Sequence, residues 1–282
     1  MEAQTSPAVV ERERWSAVAL QRSITIGSFT VTYLPDGYVQ LHPDVWFSLS
    51  GPRDDYFGLP QLISQDGYLT GSIGSLLVTG PDVAVMIDAG FGPRHLPAAR
   101  SHPSLGDMHG GALADAELPQ ELTAAVFTHL HDDHTGWLNH DDGPGHLFRH
   151  ATLRASELEL RHHGLNGDDQ WLALSDSEEI VPGITAVATP GHTQGHTSYL
   201  IESNGERLLC FGDVMHSPVQ VSQPHLSSCF EADPAASLES RKRTLELLST
   251  EGTIGAGMHF GDVVFGRVSP EIDGGLQWDP VA

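Results

Sequence analysis

One segment of this sequence places four metal-binding side chains directly behind an apolar run that has the composition of a buried strand. The segment covers residues 124–136 and reads AAVFTHLHDDHTG. His129 and His131 are two residues apart, and side chains at i and i+2 point to the same face of a strand. Asp133 and His134 follow where the chain turns, so they approach from another side. This density of imidazoles and carboxylates indicates a metal site, although a polar loop in a chain with 17 histidines is the alternative.

Three further side chains of the same chemical kind follow apolar runs, each beside glycine. His192 stands in TPGHTQGH, Asp213 in LLCFGDVMH and His259 in GAGMHFG. Each comes where a strand is expected to end, and loops at strand ends gather along one edge of a sheet. A polar loop would account for one such segment. Four segments of this kind, the first at residues 124–136 and these three, predict a shared site.

In order and kind, these seven residues resemble the complete signature of the metallo-β-lactamase superfamily. The resemblance extends from about Ser23 to Arg267 and includes VAVMIDAGFG, where Asp88 matches an early strand-end aspartate of that family. It implies an α/β fold, the αββα sandwich, as a single domain with the metals at one edge. It also implies two metal sites, one held by His129, His131 and His192 and the other by Asp133, His134 and His259, with Asp213 bridging them.

The chemistry of a two-metal site suits these residue types. Two metal ions about 3.5–4 Å apart share a hydroxide that is nucleophilic near neutral pH, and one of them polarises the attacked oxygen. A carboxylate can bridge two ions, which explains a single aspartate between two histidine-rich halves. Imidazole and carboxylate donors without thiolate suit zinc, manganese, iron and cobalt, of which zinc is our prediction.

Other residues near the predicted site are assigned supporting or catalytic roles. We expect Asp133 and Asp213 to be catalytic as well as metal-binding, with Asp213 also accepting a proton. His216 is predicted to contact substrate or donate a proton, and a solvated loop histidine is its alternative. Asp88 is expected to orient a metal ligand from behind, and His196 to make a structural hydrogen bond.

The chain shows no linker-like change in composition, so we predict an N-terminal polar arm over residues 1–22 and one hydrolase domain over residues 23–282. Residues 43–67 are aromatic and irregular and predict a long loop or flap. Residues 91–114 are rich in glycine, proline and histidine and predict a second loop. We expect these two loops to shape the substrate pocket.

Turn and cap chemistry predicts several local elements. Asn204 and Gly205, between SYLIES and RLLCFGD, predict a hairpin. Residues 35–37, Pro-Asp-Gly, predict a turn between two strands. A short helix is expected around 115–122. The clearest helix is 234–250, where Asp233 is the predicted N-cap and a proline occupies the first position. The basic run 241–243 is expected to lie on the solvated face of that helix.

Composition excludes several classes of function. The 14 Lys and Arg against 37 Asp and Glu give a net charge of −23, which repels phosphate backbones, so we predict no nucleic-acid partner. Lys242 is the single lysine, and no phosphate-binding G-x-x-x-x-G-K-[ST] occurs. Two cysteines, Cys210 and Cys229, are too few for a disulfide framework. With no signal peptide and no long apolar run, the sequence predicts a soluble cytoplasmic protein without a membrane partner. The oligomeric state stays open, a homodimer included.

Among the branches of the superfamily, the residues favour the one that holds N-acyl homoserine lactonases and methyl-parathion-hydrolase-like enzymes. Class B β-lactamases are exported, and the commonest subclass has cysteine where this chain has Asp213. Nucleases act on polyanions, and flavodiiron proteins replace a histidine of the first motif with glutamate. Glyoxalase II-type thioesterases share all seven ligands but end in a helical domain, where this chain has strand-like GMHFGDVVFGRV.

The function that we predict is hydrolysis of an ester or lactone in a small, neutral and partly apolar substrate. The bridging hydroxide would attack the carbonyl carbon. A thioesterase or cyclase acting on carrier-bound acyl or polyketide chains is the alternative. A mononuclear iron oxygenase and a non-catalytic metal-binding protein are disfavoured, because neither needs all seven ligands.

Overall fold

Two β-sheets packed face to face form the centre of the protein, seen in a computed structural model that describes residues 13–47, 59–165, 170–271 and 274–281. The first sheet contains β1 (Arg22–Ile26), β2 (Phe29–Leu41), β3 (Leu69–Gly80), β4 (Val83–Ile87), β5 (His95–Leu96), β6 (Leu105–His109), β7 (Ala124–Val126), β8 (Leu153–Ser156) and β9 (Trp171–Leu174). The second contains β10 (Glu179–Val181), β11 (Ile184–Ala188), β12 (Thr197–Ser203), β13 (Glu206–Cys210), β14 (Thr253–Ala256), β15 (Phe265–Pro270) and β16 (Leu276–Pro280).

The order of strands differs between the two sheets. The first runs β5-β6-β2-β3-β4-β7-β8-β9, with β1 paired to β2, and the second follows chain order from β10 to β16. Most neighbours are antiparallel, but four pairs are parallel: β4 with β7, β7 with β8, β8 with β9, and β13 with β14. The carboxyl ends of each parallel pair therefore lie at the same edge of their sheet.

Helices cover the outer faces of the two sheets. The helices are α1 (Pro43–Trp46), α2 (Asp132–Thr135), α3 (Gly145–His150), α4 (Glu157–His162), α5 (Val219–Ser222) and α6 (Pro234–Leu248). Phe148 of α3 and Leu160 of α4 pack in one apolar cluster with Met86 and Leu77 of the first sheet. Leu245 of α6 packs in another with strands of the second sheet. This is the αββα layering that the family resemblance implies.

The central strands explain why the sheets pack this way. In β3, Leu76 and Val78 belong to the core between the sheets, and Leu77 belongs to the cluster beneath the helices. Successive side chains of a strand point to opposite faces, so both faces of β3 are covered. A strand buried on both faces is apolar along its length, which is why GSLLVTG shows no alternation of polar residues.

The predicted turn at residues 35–37 is wrong. Strand β2 continues through these residues, with a shift in its pairing to β3 between Pro35 and Gly37. The carboxylate of Asp36 is buried and accepts four backbone amides and one indole N–H, at 2.7–3.1 Å, from Phe91, Gly92, Gly111, Leu113 and Trp137. Asp36 therefore lies within a strand, where its side chain anchors the 91–114 loop, and does not form the turn that the local sequence suggests.

The helix expected around residues 115–122 is also absent from the described structure. The chain makes only a 3₁₀ turn over Ala112–Asp115 and then continues without helix to β7. Pro119 disfavours helical backbone at the residue before it and removes one amide donor. Within 91–114, strands β5 and β6 form where the sequence indicated only loop.

Helix α6 begins at the predicted N-cap, but Arg241 does not lie on its solvated face as predicted. The carboxylate of Asp233 accepts the amides of Ala235 and Ala236 at 3.0 and 3.1 Å. Arg241, expected on the solvated face, is fully buried and donates to the carbonyl of Val214 at 2.9 Å. Its guanidinium also pairs with buried Glu231 at 2.6 Å. A guanidinium supplies five donors, and the backbone carbonyls of the loop beside α6 need them.

The ends of the chain and the aromatic flap are partly described. Of the predicted arm, residues 13–22 pack against the sheets, and Arg22 already begins β1. Of the predicted flap, residues 48–58 lie outside the described residues, while Trp46 and Phe47 are buried in an apolar cluster. In the described part of the chain, no helix has the length and apolar character needed to cross a membrane.

Candidate functional site

The predicted site residues follow strand ends at one edge of the two sheets. Asp88 comes after β4, and the segment from residue 128 to 136 comes after β7, its parallel partner. In the second sheet, Asp213 follows β13, and His259 follows the parallel strand β14. His192 stands in the connection between β11 and β12. The structure brings all seven predicted metal-binding side chains together here, in two groups.

The first donor group consists of His129, His131 and His192. The Nε2 atoms of His129 and His192 lie 2.9 and 3.0 Å from Nδ1 of His131. Oδ2 of Asp213 lies 3.2 Å from Nε2 of His192 and 3.7 Å from Nε2 of His129. Three imidazole nitrogens and one carboxylate oxygen thus face a common point, as a cation site requires.

The second donor group consists of Asp133, His134 and His259. Oδ2 of Asp133 lies 3.8 Å from Nε2 of His134 and 3.7 Å from Nε2 of His259. Oδ1 of Asp213 lies 3.2 and 3.1 Å from the same two nitrogens. Asp213 therefore stands between the groups and turns one carboxylate oxygen toward each.

Asp88 lies behind the second donor group, and its backbone is in the left-handed region with φ 63°. Its carboxylate is buried and accepts the amide and hydroxyl of Thr128 at 2.8 and 2.9 Å. Oδ2 also lies 2.8 Å from Nδ1 of His134. With Nδ1 bonded to a carboxylate, Nε2 of His134 is the nitrogen that faces Asp213 and the site.

His196 lies outside both donor groups and contacts the backbone of Asp213. Its Nε2 accepts the Asp213 amide at 3.0 Å, and its Nδ1 is 2.9 Å from the hydroxyl of Thr189. Burial lowers the pKa of His196 to about 3, although the nearby carboxylate of Asp213 acts in the opposite direction. A neutral imidazole that accepts at Nε2 carries its proton at Nδ1, so it donates to Thr189.

His216 is buried in the site, in contact with Asp213. Its Nε2 lies 3.1 Å from Oδ2 of Asp213. Its ring stacks against that of His259 with 5.7 Å between centroids and meets Trp46 edge-on at 5.1 Å. The interpretation of His216 as a solvated loop residue is therefore wrong.

The electrostatics of the cluster differ between its donors. Burial acts to lower the pKa of His134 and His259, but the nearby carboxylate of Asp213 outweighs it and raises the pKa of both, that of His134 well above the ordinary value. Burial and neighbouring imidazoles lower the pKa of His129 and His192 well below the ordinary value, so both are neutral near pH 7. Burial acts to raise the pKa of Asp213, but the surrounding histidines, His259 and His134 first, lower it well below the ordinary value. Metal ligands must be deprotonated, and His129, His192 and Asp213 are.

Two unpaired polar atoms supply a test of whether a cation fits. Nε2 of His134 and Oδ1 of Asp213 are buried and have no hydrogen-bond partner in the described structure, although they face each other. Leaving buried polar atoms unpaired costs on the order of 1–3 kcal/mol each. A divalent cation between the donors would satisfy both atoms, so the residues present fit a metal.

A cavity of about 350 Å³ opens onto the two donor groups. Its polar lining includes Asp213 and His216, together with His131 and His192 of the first group and Asp133 and His259 of the second. Its apolar wall comprises Val39, Leu41, Trp46, Leu105, Met108, Leu130 and Phe230. A polar cluster at one end of an apolar cavity suits a substrate with a reactive polar group and an apolar remainder.

Sequence reasoning missed one buried carboxylate beside the site. Glu159 is 2% exposed and accepts the amides of Leu130 and Gly195, which belong to the two loops of the first donor group. Its signal was the spacing Ser156-x-x-Glu159 at the start of a helix, which normally indicates only a capping box.

Comparisons with known proteins identify the family of the chain. Residues 71–253 match the model of the metallo-beta-lactamase superfamily. An N-acyl homoserine lactonase of Bacillus cereus is 28% identical over 93 residues, which are 32% of this chain and 37% of the relative. A hydroxyacylglutathione hydrolase of Aeromonas hydrophila is 35% identical over 107 residues, 36% of this chain and 37% of the relative. The chain therefore spans little more than a third of the length of these curated relatives.

Solved structures resemble this fold along nearly its whole length. The crystal structure of hydrolase AbOPH of the beta lactamase superfamily superposes with a TM-score of 0.76 at 21% identity, covering 94% of this chain and 98% of that one. The dizinc quorum-quenching lactonase AidC superposes with a TM-score of 0.72 at 19% identity, covering 95% and 99%. These likenesses confirm the predicted αββα fold. Because the family match covers more than half of its residues, the chain belongs to the metallo-β-lactamase superfamily.

Proposed function

We propose that this protein is a dinuclear metal-dependent hydrolase that cleaves an ester or lactone bond in a small, neutral and partly apolar substrate. The observation that carries the proposal is the position of Asp213. One of its oxygens lies 3.2 Å from His192 of the first donor group, and the other lies 3.1 Å from His259 of the second. A mononuclear site needs one donor group, whereas a carboxylate shared between two groups serves two ions.

In this proposal each donor group would hold one ion, and Asp213 would supply one carboxylate oxygen to each. When bound, two such ions bring the pKa of a shared water toward neutrality and polarise a carbonyl oxygen. Zinc is the metal we propose, because imidazole and carboxylate donors suit it, and manganese, iron and cobalt accept the same donors. No thiolate competes among the donor groups, since Cys210 is buried and Cys229 is exposed, each away from them.

The side chains of the protein hold and orient the reacting groups. His196 fixes the backbone of Asp213 through its amide, so the bridging carboxylate keeps its place between the two groups. Asp133 borders the cavity, and we propose that it and Asp213 orient the attacking water. His216 lines the cavity, and its Nε2 lies 3.1 Å from Oδ2 of Asp213. We therefore propose that His216 contacts the substrate.

The cavity and the charge of the chain support the substrate class. The apolar wall accommodates an acyl chain or ring, and the donor groups stand where a carbonyl would lie. A net charge of −23 opposes polyanionic substrates. The relatives named N-acyl homoserine lactonases support a lactone as the first choice.

A thioester is the second candidate. The observation in its favour is the match to hydroxyacylglutathione hydrolases, which reaches 35% identity, above that of the matched lactonases. The cavity does not separate the two candidates, because the same apolar wall suits the acyl part of either.

Metal analysis and matched substrates test both proposals. We expect about two metal ions per chain in purified protein, and faster cleavage of an N-acyl lactone than of a thioester with the same acyl chain. A single ion per chain would contradict the dinuclear site, and preference for the thioester would select the second candidate. For substitutions of the donor histidines, His146→Ala is the matched control, because this histidine is exposed on α3 and belongs to neither donor group.

A further inference from the structure

We infer that Glu159 is a positioning residue that sets the first donor group by binding the backbone of both loops that carry it. This inference rests on the proposed function, because it concerns one half of the proposed metal pair. Glu159 lies in α4, which contributes no residue to either donor group.

One carboxylate joins two loops that come from different sheets. Oε2 of Glu159 accepts the amide of Leu130 at 3.2 Å, and Leu130 lies between His129 and His131. Oε1 accepts the amide of Gly195 at 3.1 Å, in the loop that begins with His192. Hydrogen bonds to an ionised acceptor are roughly twice as strong as those between neutral groups. The carboxylate therefore sets the separation of the two loops.

The start of α4 brings this carboxylate to the loops. Ser156 is the N-cap, and its hydroxyl accepts the amide of Glu159 at 3.3 Å. In a capping box the glutamate would return to the N-cap amide. Here its carboxylate bonds to the two loops instead. A Cβ at Gly195 would stand 2.2 Å from the Ser156 hydroxyl, so this loop lies directly against the helix.

The first donor group depends on such backbone support, because one of its rings lacks a partner. In the described structure, Nδ1 of His192 is buried and has no hydrogen bond. By contrast, Nδ1 of His259 in the second group lies 2.7 Å from the carbonyl of Ser72. The direction of the His192 ring is therefore set by where its loop lies, and Glu159 is bonded to that loop.

The substitution Glu159→Gln tests this role. Glutamine has nearly the same shape but one carbonyl oxygen, so one of the two loop amides loses its acceptor. Glu157→Gln is the matched control, because this glutamate is exposed on the same helix and forms an ion pair with Arg161.

We expect Glu159→Gln to bind one zinc ion as tightly as the parent protein does and the other about 10–100-fold more weakly. This is the effect typical of residues behind metal ligands. The control Glu157→Gln should bind both ions as the parent does.

Hydrogen exchange of the metal-free protein supplies a readout that does not depend on metal or activity. We expect faster amide exchange in Glu159→Gln for peptides covering 128–135 and 191–197, and unchanged exchange for 257–262. A second variant, Glu159→Asp, keeps the charge but is one methylene too short to reach both amides. If Glu159→Gln does not fold, Glu159→Asp tests the positioning role instead. We expect it to show the same selective loss of one ion.

Two results would overturn the inference. Parent-like binding of both ions in the folded variants would mean that the carboxylate does not position the donors. Equal loss of both ions, with faster exchange in all three segments, would mean that Glu159 acts only on general stability. If the unsubstituted protein itself fails to bind two ions, the proposed dinuclear function is what fails, so the two failures are distinguishable.

Discussion

The two donor groups contain similar ligands but are held in different ways. In the second group, His134 is bonded at Nδ1 to the carboxylate of Asp88 at 2.8 Å, and His259 at Nδ1 to the carbonyl of Ser72 at 2.7 Å. In the first group, His129 meets only the hydroxyl of Thr128, at 3.1 Å, on its far side. That group relies on loops tied together at the backbone.

The imidazole rings of a site can thus be oriented in two ways, by hydrogen bonds to the rings themselves or by hydrogen bonds to the backbone of their loops. A ring bonded on its far side keeps its direction when the backbone shifts slightly. A ring without such a bond follows its loop. Substitutions behind the site should therefore separate the two halves of the proposed metal pair.

The largest effect on turnover and metal content is expected at Asp213, the residue that both donor groups share. Asp213→Ala removes an oxygen from each half, so we expect turnover to fall to background and metal content to drop for both ions. His131→Ala should also abolish turnover and lower metal content, through the first group. Elemental analysis and hydrolysis rates measure this, and near-normal activity in either variant would contradict the site assignment.

A weaker and selective effect is expected from Asp88→Asn. The amide gives His134 a weaker acceptor than a carboxylate does, so we expect about 10–100-fold weaker binding of one ion. The ion of the first group should change less, because Asp88 reaches His129 only through Thr128. Asp82→Asn is the matched control, because Asp82 is also an aspartate with left-handed backbone, at φ 58°, and lies in an exposed turn. Zinc titration of both variants measures the effect, and unchanged affinity in Asp88→Asn would argue against a supporting role.

His216→Ala should alter catalysis and leave both halves of the metal pair intact. The residue contacts Asp213 and lines the cavity but belongs to neither donor group. We expect a changed kcat or KM with about two metal ions still bound, measured by kinetics beside elemental analysis. Loss of metal would place His216 among the ligands.

The smallest effect on metal binding is expected from Asp262→Asn, close to the second group. The Asp262 carboxylate accepts bonds from Arg14, Arg22 and the amide of Leu20, and so ties the N-terminal segment to the loop of His259. Because the His259 ring is bonded directly to Ser72, we expect zinc affinity to change less than twofold. Thermal stability should fall at pH 7, by a few degrees in Tm.

The pH dependence of that loss has a definite sign. Burial acts to raise the pKa of Asp262, but the bonds from Arg22 and Leu20 outweigh it and lower the pKa below the ordinary 3.8. A lowered pKa stabilises the folded protein above the ordinary value, and this stabilisation disappears as the pH falls through the lowered value. The Tm difference between the parent and Asp262→Asn should therefore be full at pH 7 and shrink below pH 3.8. A difference independent of pH would contradict this origin.

Elements with strong local signals were predictable from the sequence. The helix that begins at Asp233 and the hairpin at Asn204 and Gly205 both formed as expected, because caps and tight turns depend on neighbouring residues. Asp36, Arg241 and Glu159 were not predictable in this way. The local sequence indicated a turn at Asp36, a solvated helix face at Arg241 and a capping box at Glu159. Each of these charged side chains is instead buried, because distant backbone groups need its hydrogen bonds.

Residue type and spacing alone predicted seven candidate donors and the sheet edge that carries them, because ligand chemistry and strand periodicity are local properties. The order of the same seven residues also indicated the family, which the family match confirms. The folded structure was needed to see how these residues divide around Asp213, which rings have partners behind them, and that Glu159 joins two loops. Those features depend on distances between segments far apart in the chain, which packing of the whole fold sets.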